Sequence, residues 1–205
     1  MDIRPEVLEG QVVRLEPLSM SHHAALCEVG LDPELWRWTH SLVQTSDQMT
    51  RYIQAALDGQ TEGRELPFAT RERASGRVIG CTRFGSIDRA NRRVEIGWTW
   101  IARPWQRTSV NTEAKYLMLR HAFEQWGCLR VELKTDVLNE ASRRAILRIG
   151  AREEGVLRKH MITATGRVRD TVYYSILDTE WPTVKAMLEE KLRGPRPDAR
   201  RAKIR

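Results

Sequence analysis

Two periods of apolar side chains interleave along this chain. Residues 11–15 alternate and read as a first strand, closed by Pro17. Ser19 is placed to cap a helix running to about Gly30. Aromatic residues within 35–40 break the helical pattern, and a second helix is predicted from Ser46 or Asp47 to Leu57, stopped by Asp58 and Gly59. From Leu66 the period becomes two. Residues 67–73 and 77–84 read as strands joined by a hairpin turn at Ala74, Ser75 and Gly76. Over 93–101, alternation sets Val94, Ile96, Trp98 and Trp100 on one face and Glu95, Gly97, Thr99 and Ile101 on the other, with Pro104 limiting the strand. The spacing of Ala114, Leu117, Met118, Ala122 and Phe123 predicts an amphipathic helix over 111–126, ended by Gly127. Residues 129–136 alternate again, and Asn139 opens a short helix ending at Gly150. Strands at 155–163 and 167–177 flank a turn at Thr165 and Gly166, and a last helix begins near Glu180, Trp181 and Pro182.

Three consecutive strands followed by strand–helix crossovers define an α/β chain with a mixed sheet and helices on both faces. With 205 residues, 41% of them hydrophobic and 30% charged, the composition is that of one compact domain with a sizeable core. No run nears the roughly 18 apolar residues of a membrane span, and the first residues lack the apolar stretch of a secretory signal. Cys27, Cys81 and Cys128 are widely separated and odd in number, which argues against disulfides or a zinc site and for reduced thiols in the cytoplasm. The net charge of +7 raises the question of nucleic acid. Most of that surplus lies in 193–205, where six basic residues face a single Asp, so the domain proper (1–192) is near neutral. The tail reads as a disordered, solvated appendage, and nucleic-acid binding is not expected.

The chemistry concentrates after the 93–101 strand, where the loop Arg103-Pro104-Trp105-Gln106-Arg107-Thr108-Ser109-Val110 runs into a helix beginning Asn111-Thr112-Glu113-Ala114. A helix start offers unpaired N–H groups and the positive end of a dipole, both suited to a pyrophosphate. The segment resembles the acetyl-CoA motif of the GCN5-related N-acetyltransferase (GNAT) superfamily, Gln/Arg-x-x-Gly-x-Gly/Ala followed by Thr-Glu-Ala. Gln106 holds its first position, while Ser109 and Asn111 stand where small residues are usual. A second match follows about 30 residues on. Asn139-Glu140-Ala141-Ser142 through Gly150-Ala151 is similar to the family's second motif, with a strand between the two. The pattern is closest to the RimJ/RimL branch.

The resemblance implies a central twisted sheet, mostly antiparallel and of about seven strands, with one parallel pair, 94–101 and 129–136, that splays apart. Acetyl-CoA would lie in that splay as co-substrate. Backbone groups of Trp100, Ile101 and Ala102 would pair with its pantetheine arm. Gln106, Arg107, Thr108, Ser109, Val110, Asn111 and Thr112 would cradle the phosphates, and Asn139 and Ser142 would approach the arm and sulfur. Asn139 as a plain helix cap is the competing local reading. Glu95 is the candidate base, acting through water on the attacking amine, against the alternative of an ion-paired glutamate. Many family members carry a tyrosine seven residues after the motif Asn. Here that position is Ile146, which leaves Ser142 as the candidate acid.

The acceptor site would be built from the N-terminal helices and last hairpin, with Trp36, Trp38, His40, Arg158, His160 and Tyr173 as candidates and core packing the competing role for a tryptophan. No metal is called for. The acceptor would be a protein N-terminus in the RimJ/RimL manner, or a small amine such as an amino acid, polyamine or antibiotic. A CoA-binding regulator without catalysis is the reading from another class. Homodimers are common among similar proteins.

Overall fold

Eight strands form one sheet in the computed structural model, which describes residues 1–194. β1 (Leu8–Glu9) and β2 (Val13–Pro17) precede α1 (His23–Gly30) and α2 (Ser46–Thr61). β3 (Leu66–Glu72), β4 (Val78–Asp88) and β5 (Arg93–Ile101) follow as an antiparallel meander. Then come α3 (Val110–Arg120), β6 (Arg130–Asp136), α4 (Glu140–Arg148), β7 (Arg152–Ile162), β8 (Val168–Leu177) and α5 (Trp181–Arg193). The spatial order is β1-β2-β3-β4-β5-β6-β8-β7, with β5 and β6 parallel and the other neighbours antiparallel. This is the mixed, mostly antiparallel sheet expected. The count is eight because β1, only two residues long, leaves no period in the sequence.

Local boundaries show which signals were outweighed. α2 runs through Asp58 and Gly59 to Thr61, because Gly59 is buried against the Glu65 side chain and packs where it was expected to stop the helix. Gly63, at φ 71°, makes the exit instead. α3 ends at Arg120 and passes into one π turn, His121–Gln125, before Gly127 at φ 64° turns the chain. Arg193, expected to belong to the tail, is the last residue of α5, and residues 195–205 lie outside the described residues. Among the described residues no helix is long and apolar enough to cross a membrane.

The sheet buries both faces. On one, Phe68, Phe84, Val94, Ile96, Ile101, Val131 and Leu133 pack with Val110, Ala114, Leu117 and Met118 of α3 and with Trp181 of α5. On the other, Ala69, Cys81 and Trp100 pack with Leu26, Met49, Ile53, Trp36 and Tyr52 under α1 and α2. Ile101 thus shares a face with Val94 and Ile96 while Trp100 does not, which corrects the strict alternation expected of β5. The register against β4 slips between Cys81 and Arg83, and Trp98 adopts φ 49°. One extra residue in β5 flips the parity beyond it. Gly85 makes room for this bulge, because any Cβ there would collide with the Trp98 indole. The three cysteines are free, and burial pushes the Cys81 and Cys128 thiols up to about 12 and about 11.

Candidate active site

β5 and β6 pair at three positions only, Arg93 with Arg130, Val94 with Val131 and Glu95 with Glu132. Beyond Glu95, β5 continues to Ile101 and β6 to Asp136 without pairing, so the sheet forks immediately after Glu95 and just before the bulge. A bulge bends its own strand and increases local twist, which is how this sequence parts two neighbouring strands. The cleft therefore opens between Trp100 and Lys134.

The start of α3 lies at the end of β5 and is fixed by Glu113. Its carboxylate, 5% exposed, accepts backbone N–H groups of Gln11 (2.9 Å), Val12 (2.6 Å) and Val13 (2.7 Å), strapping the first turn of α3 to the β1–β2 connection. Gly10 is needed there, since a Cβ would sit 2.5 Å from that carboxylate. Thr108 Oγ1 accepts from Val110 N–H, and Ser109 C=O accepts from Glu113 N–H. The N–H groups of Asn111 and Thr112 have no backbone partner among the described residues, as expected in a first helical turn. Asn111 Oδ1 is buried with no hydrogen-bond partner. Arg107 takes φ 63° with its side chain exposed, and Arg148 of α4 reaches Thr112 Oγ1 at 3.2 Å, so two cations flank this turn. The open edge and the free N–H groups fit the pantetheine and diphosphate of acetyl-CoA.

Some cradle groups are already engaged. Ala102 N–H donates to Ile79 C=O of β4 (2.8 Å), so it is turned away from the fork, and Gln106 Nε2 donates to Ile101 C=O (2.7 Å), closing the loop on itself. Trp100 is buried in the α1–α2 cluster. Asn139 caps α4, its Oδ1 accepting Ser142 N–H at 3.1 Å. Ser142 stands half-buried in the first turn of that helix, and Ile146 is core.

Glu95, 3% exposed, sits at the fork. Lys134 Nζ lies 2.8 Å from its Oε2, and Ser86 Oγ donates to the same oxygen at 3.1 Å. Burial alone would lower the Lys134 ammonium, but the charge and hydrogen bond of Glu95 hold it above the ordinary lysine value. On the opposite face, Lys115 of α3 points into the bulge, Nζ 2.5 Å from Thr99 Oγ1 and 3.4 Å from Thr82 Oγ1. Burial lowers it to about 7, against a raising influence from Glu95. Neither lysine stood out in the sequence. Lys134 is one polar tooth of an alternating strand, and it meets Glu95 only once the register of two distant strands is known.

Registers place Lys134 opposite Tyr173 and Asp136 opposite Thr171, so these residues and Arg169 share the sheet face of Glu95. The 36–40 segment covers part of that face. Arg169 Nη1 donates to Trp38 C=O, the Arg167 guanidinium lies 5.5 Å from the Trp38 ring, and His40 meets Trp98 edge-on at 6.0 Å. His160 meets Tyr173 edge-on at 5.8 Å, and Lys134 Nζ is 5.7 Å from the Tyr173 ring. Desolvation, then Arg169 and Lys134, lower the His40 imidazole; desolvation, then Lys134 and Arg169, lower that of His160. Of the acceptor candidates, Trp38, His40, His160 and Tyr173 gather around Lys134 and Arg169. Trp36 is core, its Nε1 donating to Gly30 C=O at 2.8 Å and its ring packed on Tyr52 and Trp100. Arg158 lies exposed on β7.

A mixed sheet whose single parallel pair forks above a helix start is the architecture of an N-acetyltransferase. The sequence agrees: the family model for the acetyltransferase (GNAT) domain matches residues 13–152, and the chain belongs to that family. It is 37% identical over 106 residues to a Bacillus subtilis protein whose provisional name is ribosomal N-acetyltransferase YdaF, a match covering 52% of this chain and 57% of that protein. A GCN5-related N-acetyltransferase from Brucella melitensis superposes with a TM-score of 0.87 at 32% identity, over 95% of this chain and 88% of the other. Mycobacterium smegmatis RimJ, solved with CoA-disulfide, superposes with a TM-score of 0.76 at 25% identity, over 92% and 93%.

Proposed function

We propose that this chain transfers the acetyl group of acetyl-CoA to the α-amine of a protein N-terminus, by direct attack within a ternary complex. The reading is carried by the fork just past Glu95, which leaves a strand edge, a helix start and a buried carboxylate facing one cleft. The relative named as a ribosomal N-acetyltransferase and the RimJ neighbour support a protein acceptor over a small amine.

Acetyl-CoA supplies the activated acyl group. Asn111 and Thr112 N–H and Arg148 are assigned to its phosphates, and the unpaired edge of β5 before Ala102 to its amide arm. An α-amine titrates near about 8 and must lose a proton before it attacks. Glu95 takes that proton through a water, while Lys134 and Ser86 hold its carboxylate in place. Ser142, in the first turn of α4, returns a proton to the departing sulfur.

The test incubates the protein with acetyl-CoA and parallel panels of N-terminal peptides and small amines, following free thiol. Peptide-dependent release is expected, and Glu95→Gln should lower kcat by about 10²–10⁴-fold. Turnover confined to small amines would replace the acceptor, and CoA binding with no thiol release would leave a regulator. An unchanged rate in the Gln variant would remove Glu95 from the chemistry.

A further inference from the structure

The acceptor face carries a charge that the protein does not neutralise. Arg169 is 5% exposed, and the groups it bonds to are neutral: Nε donates to Thr171 Oγ1 at 3.0 Å and Nη1 to Trp38 C=O at 3.3 Å. Its neighbours are spoken for. Lys134 is paired with Glu95, Arg83 with Glu65 at 2.7 Å, and Arg167 with the fully buried Asp136, whose other oxygen accepts Leu138 N–H. No carboxylate among the described residues comes within ion-pair distance of Arg169. Burial pushes its guanidinium below the ordinary arginine value, with Arg167 adding to the fall and Asp136, Glu95 and Tyr173 opposing it. His40 and His160, both shifted toward the neutral form, bring no compensating charge.

A desolvated cation is costly unless an anion meets it, and a ligand's anion can supply what the protein does not. Nη2 is the remaining guanidinium nitrogen; it bonds to no described group and is not sealed from solvent. By register, Arg169 lies on the sheet face of Glu95, together with Lys134 and Tyr173. We propose that the acceptor bears a carboxylate a few bonds from its reacting amine, and that Arg169 binds it. This rests on the acceptor reading above and narrows it to N-termini with an acidic side chain in the first three residues. The same carboxylate chemistry is present in a free amino acid.

The experiment compares kcat/KM for matched peptides that differ only as Glu against Gln, or Asp against Asn, at the second or third residue. A second arm compares alanine with alaninamide. Wild-type protein should favour the acidic peptide by about tenfold or more, the penalty for leaving a buried polar group without its partner. Arg169→Gln should bring that ratio to about one, and Arg169→Lys should retain part of it. Equal rates on acid and amide peptides with wild-type protein overturn the inference, and this comparison needs no variant to fold. Alanine preferred over its amide, with every peptide inert, keeps the carboxylate and discards the protein N-terminus. Activity on none of the pairs overturns both.

Discussion

Glu113 belongs to the Thr-Glu-Ala run of the first motif, yet its carboxylate points away from the cleft and holds three consecutive backbone N–H groups of residues 11–13. Replacing it with Gln keeps the volume and leaves one oxygen where there were two. The new amide N–H₂ then faces backbone donors, so at least one of the three N–H groups loses its acceptor. Hydrogen bonds to a charged group contribute about 1.5–3 kcal/mol each, and an unsatisfied buried donor costs about 1–3 kcal/mol. Breaking one or two of these hydrogen bonds should therefore cost about 2–4 kcal/mol. For a domain of this size, a melting temperature moves about 2–4 °C per kcal/mol, so Glu113→Gln should melt about 4–16 °C lower. Because the strap fixes the first turn of α3, KM for acetyl-CoA should rise in the same variant at a temperature where it is still folded. Calorimetry gives the first effect, and initial rates across a range of acetyl-CoA concentrations give the second. A melting temperature within about 1 °C of wild type would show that the strap holds nothing, and the account of how α3 is placed would fall with it.

Two further outcomes follow from the bulge. Lys115 titrates near 10.5 when exposed and about 7 when folded, so between those values the unfolded chain binds the extra proton and stability rises with pH. The slope is at most about 1.4 kcal/mol per pH unit, and urea denaturation at about pH 7 and about pH 9 should show a gain in wild type that Lys115→Met lacks; parallel curves would place the amine in water. Gly85→Ala drives a methyl into the Trp98 ring and should cost about 1–3 kcal/mol while displacing the bulge. Its kcat should fall by more than its stability explains, and full activity in a folded variant would detach the fork from the packing of Gly85 on Trp98.

How much of this was legible beforehand differs by scale. The bounds of β5 agree with its alternation to the residue, and Asn139 and Gly150 bracket α4 as their cap chemistry requires. The bulge was invisible, because the residues 93–101 alternate well enough to fit an unbroken strand. Its cause lies in Gly85, a residue of another strand. The loop residues were found by motif and helix-start logic, yet Gln106 and Ala102 turned out to be bonded within the protein, since local hydrogen-bond partners cannot be counted from spacing. Trp36 shows the same limit: an aromatic in an irregular segment fits a ligand wall and a core equally, and only the three-ring stack with Tyr52 and Trp100 decides. Arg169 and Lys134 were ordinary polar teeth until the register of β6 with β8 set them on one face of the sheet.

The depth at which the sulfur atoms lie has a practical side. At neutral pH the thiols of Cys81 and Cys128 remain almost wholly protonated, and a colorimetric disulfide reagent needs the thiolate. The half-buried Cys27, whose sulfur rests 3.5 Å from His23 Nε2, is the one the reagent can reach with least hindrance. A blank of at most one equivalent per chain is thus built into the molecule, and colour accumulating beyond it reports coenzyme released by turnover.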